Sequence, residues 1–152
     1  NITLLDLDWT RVRVYQDGLP VCGRELEIVR DLAQKGSKNH QLLQTILVKG
    51  ATLEGTEDKN LLLEEYRQFQ KIFSTTLPAE KKRLLDAYKQ RSETLLRERD
   101  RFIANQIAST LRENETGLLF IGMLHKVDQY LPPEIQVSSL IYRLPFNKMP
   151  KV

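Results

Sequence analysis

A single cysteine, Cys22, rules out an internal disulfide and any metal site built on a thiolate cluster. A chain without a disulfide framework is expected in a reducing compartment, here the cytoplasm, and Cys22 is read as a packed or idle thiol. Histidine is nearly as scarce. His40 and His125 are the only imidazoles, so any histidine chemistry must pass through one of them. Long apolar runs are missing too: stretches such as 117–124 are far too short to cross a bilayer, and no basic start followed by an apolar segment opens the chain. No membrane partner is therefore expected. There is no G-x-G-x-x-G, no P-loop and no G-x-S-x-G, which removes the usual support for nucleotide-binding and serine-hydrolase readings. A net charge of +3 is too mild to imply nucleic acid by itself.

What is present is an ordinary globular composition. With 41% apolar and 28% charged residues there is no case for wholesale disorder, and 152 residues suit one domain. Residues 11–16 alternate charge with Val12 and Val14, as in a strand with one face buried, and end at the turn signal Asp17-Gly18. From Arg24 the period becomes helical, through Leu26, Val29, Leu32 and Ala33, until Gly36; Ser37 then caps a second helix carrying Leu42, Leu43, Ile46 and Leu47, which ends at Gly50. Residues 51–54 fit a brief second strand. Thr56, followed by Glu57 and Asp58, reads as the start of a third helix with acids in its first turn. Pro78 opens the longest helix, which meets no glycine or proline before about Asn114 and would extend roughly 50 Å. Leu118–Ile121, apolar at every position, reads as a central parallel strand, and 135–142 as a final one. The tail from 144 is expected to be peripheral. The expectation is an α/β domain over 1–152, a small, mainly parallel sheet of three to four strands flanked by helices, with one long helix before the central strand.

In open parallel sheets, ligands bind beyond the carboxyl ends of the strands. The residues delivered there are Asp17 after the first strand, Glu54 and Glu57 after the second, and Gly122 and His125 after the third. One imidazole among carboxylates can hold a divalent cation, Mn²⁺ or Zn²⁺, with His125 and Glu54 as ligands, or can activate water directly. Asp17, Glu57 and Gly122 are candidate ligand-binding positions beside them. Turn-forming for Asp17 and helix-dipole duty for Glu57 are the competing explanations. Arg99 shares a helix face with Phe102 and Ile103, so its guanidinium points toward the core and needs a carboxylate partner. His40 is read as exposed.

The stretch Arg99-Asp100-Arg101-Phe102-Ile103-Ala104, then a buried strand, then Gly122-Met123-Leu124-His125 resembles the TIKI/TraB and ChaN/erythromycin-esterase-like superfamily, whose members carry R-[DN]-x-x-[MI]-A followed by a strand ending in G-x-x-H. The resemblance implies an α/β fold and, in characterised branches, hydrolysis of peptide or ester bonds by histidines and glutamates, with metal in some; other branches bind haem or have no known activity. It assigns His125 as base or metal ligand, Glu54 as the water-orienting acid, and Arg99 or Arg101 as anion holder. The early histidine of the pattern is missing: Tyr15-Gln16-Asp17-Gly18-Leu19-Pro20 stands in its place.

Two other functions fit the residues. A non-catalytic ligand-sensing or interaction module would use the overlong helix to form a homodimer through Leu84, Leu85, Tyr88 and Leu95, and would bind a small molecule or peptide. Nucleic-acid binding along the same helix has weaker support, because its eight cations between residues 81 and 101 are interleaved with acids and lack an aromatic platform.

Overall fold

A computed structural model describes residues 6–140. Asp8 caps a short 3-10 turn, Trp9–Arg11, by accepting from the Thr10 amide, and the chain then enters strand β1, Val12–Gln16. β1 lies at the centre of a three-stranded, wholly parallel sheet. It pairs with β2, Thr52–Leu53, on one side and β3, Thr116–Phe120, on the other, with Val14 opposite both Leu53 and Leu118. The expected small α/β fold is observed, but two strand assignments change. β1 is buried on both faces, not one, and its polar members Arg13 and Gln16 are buried with the rest. The all-apolar segment around 118–121 takes an edge. The reason is that apolarity at every position reports two covered faces, not two hydrogen-bonded neighbours. Leu118 and Phe120 pack against one helical layer, Leu119 and Ile121 against the other. The last expected strand is not found in 135–140, which has no regular structure; positions 141 and 142 and the tail lie outside the described residues.

Helices α1, Glu25–Gln34, and α2, Lys38–Val48, cover the face of Val12 and Val14, contributing Val29, Leu43 and Ile46 to that core. Gly36, at φ +94°, makes the reversal between them, and the Ser37 hydroxyl accepts from the His40 amide. That cap also draws in the His40 ring, whose Nδ1 lies 2.7 Å from Ser37 Oγ. His40 is thus half-buried, and burial lowers its pKa. The opposite face is covered by α4, Pro78–Thr110, whose Ile103, Ala104 and Ile107 surround Tyr15. Pro78 does open this helix, as expected.

Helix α3, Lys59–Ser74, is capped not by Thr56 but by Asp58, which accepts from the Asn60 and Leu61 amides. Thr56 is instead drawn beneath the sheet edge, its hydroxyl accepting from the Gln16 amide. α3 packs along the first half of α4, with the Phe69 and Tyr88 rings 5.0 Å apart. The overlong helix therefore finds its partner within the chain. Of the four residues proposed for a dimer contact, Leu95 is buried, Tyr88 lies on Phe69, and Leu85 remains exposed.

At the amino end of the sheet, Arg13 reaches across to Glu115, just before β3, in a bidentate pair at 2.8 Å, and its third nitrogen meets Glu54. Arg13's hydrogen bonds hold the Glu115 carboxyl down to about 2, well below its ordinary 4.5. Because the folded pKa is depressed, this contribution to stability is complete above the ordinary value and is lost as pH falls from there toward 2. Urea unfolding measured through that acid range is expected to show a steeper loss for the native chain than for Glu115→Gln. Equal slopes would mean that the pair does not form.

Candidate functional site

The crossovers leave the carboxyl edge of the sheet toward opposite faces. After β1 the chain turns to α1 on one face; after β3 it turns to a 3-10 segment, Val127–Tyr130, that packs with α4 on the other. Neighbouring strands whose exits diverge in this way leave an opening between their ends, the place where open α/β sheets bind ligands. Asp17 leaves β1 at this point, and His125 leaves β3.

His125 is held by a residue from α4. Its Nδ1 lies 2.5 Å from Asp100 Oδ1, and the other Asp100 oxygen accepts from the Lys126 amide at 2.8 Å. A carboxylate only accepts, so Nδ1 carries the proton, and Nε2 is the ring nitrogen turned away from Asp100. Nε2 faces Asp17 Oδ2 at 3.6 Å. Asp100 is 2% exposed and the His125 side chain 6%, so this pair is screened from water. The Gly122 amide donates to the same Asp17 oxygen at 3.3 Å, which makes Gly122 a support for Asp17.

Asp17 continues the network on its other oxygen, accepting from Arg99 Nη2 at 2.9 Å. Arg99, 8% exposed, donates from Nε and Nη2 to both oxygens of Glu57 at 2.7 and 2.6 Å, and from Nη1 to Glu65 at 2.9 Å. Burial works against its charge. Glu57's hydrogen bonds and the charges of Glu57, Glu65 and Asp17 outweigh that penalty and raise the guanidinium pKa above its ordinary value. Glu57 is fully buried because the 54–57 segment passes very close to 19–21: the Thr56 and Glu57 amides both donate to the Leu19 carbonyl, and the Val21 amide donates to the Glu57 carbonyl. Gly55 permits this approach, since a Cβ there would meet Val21 Cα at 2.7 Å. The Glu57 carboxylate also accepts from the Gly18 amide.

Of the residues expected at the site, Asp17, Glu57, Gly122, Arg99 and His125 come together. Glu54 does not. It turns back along the sheet to Arg13, which stands four residues, roughly 13 Å, before Asp17 on β1. The proposed His125–Glu54 metal pair is thus not assembled, and among the described residues no group of three or more His, Cys, Asp or Glu side chains is arranged to hold a metal ion. Arg101 also lies elsewhere, exposed, with its guanidinium 5.3 Å from the centre of the Tyr130 ring. Arg99 donates from all three of its nitrogens to carboxylates of this chain, which argues against its use as an anion holder. Cys22 is exposed, not packed.

Asp100 and Glu65 escaped the sequence reading. A usable signal existed for Asp100. It lies three and four residues before Ile103 and Ala104, on the stripe that faces the core, where a carboxylate demands a partner. The two stretches that carry the family resemblance meet here, Asp100 from one touching His125 from the other. No protein-family model, curated protein or solved structure matches the chain.

Removing Arg99 would strand a fully buried Glu57. Arg99→Ala is expected to cost about 3–5 kcal/mol in urea unfolding, with part recovered when Glu57→Gln is added. A loss no larger than that of an exposed arginine such as Arg101→Ala would overturn the network as drawn.

Proposed function

We propose that the carboxyl edge of the sheet is a general acid–base site of hydrolytic type, in which His125 Nε2 takes a proton from water or another nucleophile. Asp100 would orient the ring and stabilise the imidazolium; Asp17 would face the reacting proton. The observation that carries this reading is the hydrogen bond between His125 Nδ1 and the buried Asp100, at the carboxyl edge where the strand exits diverge. A carboxylate on one ring nitrogen with the other left for chemistry is the arrangement a histidine base requires. The resemblance to the TIKI/TraB and ChaN/erythromycin-esterase-like superfamily points in the same direction, toward ester or peptide bonds. The edge gathers Asp17, Glu57 and Glu65 around Arg99, with Asp100 on His125, so carboxylates outnumber the one guanidinium. A neutral or cationic small molecule or peptide suits that field better than an anion.

A second reading has its own support. The His125 Nε2 faces a carboxylate of the same chain, and Arg99 is fully engaged, as in a network built to hold the sheet edge together. On that reading the domain is a non-catalytic binding module, monomeric or self-associating, in a cytoplasmic setting.

Two measurements separate these. A panel of chromogenic esters and peptide amides is expected to reveal turnover that His125→Gln reduces by about 10²–10⁴-fold, with Arg101→Ala unchanged. In parallel, an NMR titration of the two histidines should show the His125 signals moving on Asp100→Asn while those of His40 stay in place. Turnover that survives His125→Gln, or no turnover of any panel member, would leave the binding module as the reading.

A further inference from the structure

The far end of the α3–α4 hairpin is unlike the rest of the surface. No α4 residue before Leu95 is buried, so about 25 Å of this helix lies outside the sheet layers and packs along α3. Where the two helices join, large apolar side chains face solvent: Phe73 is 77% exposed, Leu77 64% and Tyr66 59%. Phe73 is held in place by stacking on Phe69, ring centres 6.2 Å apart. Around them Arg67, Lys71, Lys81, Lys82, Arg83 and Lys89 are all exposed. Residues 66–90 contain these six cations against two acids, Glu80 and Asp86, a net +4 that exceeds the +3 of the whole chain. The positive charge of the protein is thus concentrated on one projecting tip, beside exposed Phe and Leu.

Three classes of partner can be weighed against this combination. A nucleic acid would meet the cations but leave Phe73 and Leu77 in water. A protein partner would fit the open recess lined by Tyr66, Phe69 and Phe73, but that recess includes neither Leu77 nor any cation of α4. A lipid interface uses both features at once, because apolar side chains enter the headgroup–acyl boundary while lysines and arginines pair with anionic headgroups. No helix among the described residues is long and apolar enough to cross a membrane, so such contact would be peripheral. The absence of an apolar run, from which no membrane partner was expected, speaks only to crossing.

We propose that the tip of the α3–α4 hairpin docks on the surface of an anionic phospholipid bilayer, with Phe73 and Leu77 entering the interface and Lys71, Lys81, Lys82 and Arg83 meeting the headgroups. The proposal is independent of the reading of His125.

Flotation of the full chain with vesicles of phosphatidylcholine, alone or mixed with phosphatidylserine, tests it. Binding is expected on the mixed vesicles only, weakening as salt is raised. Lys81→Ala with Lys82→Ala should lower partitioning about tenfold or more, and Phe73→Ala with Leu77→Ala by a similar factor. Leu26→Ala, an exposed leucine on α1, should change nothing. All four substituted tip residues are exposed, and circular dichroism melts that match the native chain would verify that the variants fold. Equal binding to neutral and anionic vesicles, or undiminished binding after Phe73→Ala with Leu77→Ala, overturns the proposal. So does a dimer in sedimentation that those same two substitutions dissociate, or duplex DNA binding that they leave untouched while vesicles are ignored.

Discussion

A guanidinium taken almost wholly out of water can persist only where carboxylates replace the lost hydration, and Arg99 meets that demand with three of them. The partners come from three different parts of the chain: Asp17 from the end of β1, Glu57 from the β2–α3 connection, and Glu65 from α3. One side chain of α4 thereby fixes where the helix lies on the sheet and where α3 begins. Much of the carboxyl edge follows from this constraint. Glu57 must be buried to reach it, so Gly55 must let the backbone pass close to Val21, and Thr56 gives up the capping role to Asp58. Asp17 must face α4, which leaves its second oxygen directed at His125.

The same physics recurs at the opposite end of β1. Arg13, on the same strand face as Tyr15 and Asp17, is answered by Glu115 and Glu54. The central strand thus carries an ionic network near each end of the face covered by α4, and an aliphatic pair, Val12 and Val14, on the face covered by α1 and α2. Such pairs add little net energy over a hydrophobic substitute, but they penalise any shift of register that leaves one charge without its partner.

Along α4, the acidic carboxyl edge at Arg99 and the basic hairpin tip near Pro78 place opposite charge about 30 Å apart. At the edge, a histidine bonded to a buried aspartate lies where the strand exits diverge, beside Asp17 and the Arg99 network. At the tip, cations surround exposed Phe73 and Leu77.

Local chemistry made much of this legible in the residues alone. The helices themselves, the cap at Ser37, the reversal at Gly36 and the proline at the start of α4 depend on neighbours within a few positions and were realised, whereas Leu26 on the apolar stripe of α1 and Tyr66 and Phe73 on that of α3 are exposed. The parallel α/β class was realised too, because strands separated by helices have few other ways to pair. Asp17 and His125 were legible as residues delivered past strand ends. What the sequence left open depends on contacts far apart in the chain. Apolar spacing reports covered faces but not strand order, so the strand expected at the centre, β3, lies at an edge and β1 is central. Glu54 and Glu57 look alike three residues apart, and only the folded chain sends one to Arg13 and the other to Arg99. Asp100 became the partner of His125 for the same reason: an ion pair is chosen by distance in space, and distance in space is set by the packing of α4 on the sheet.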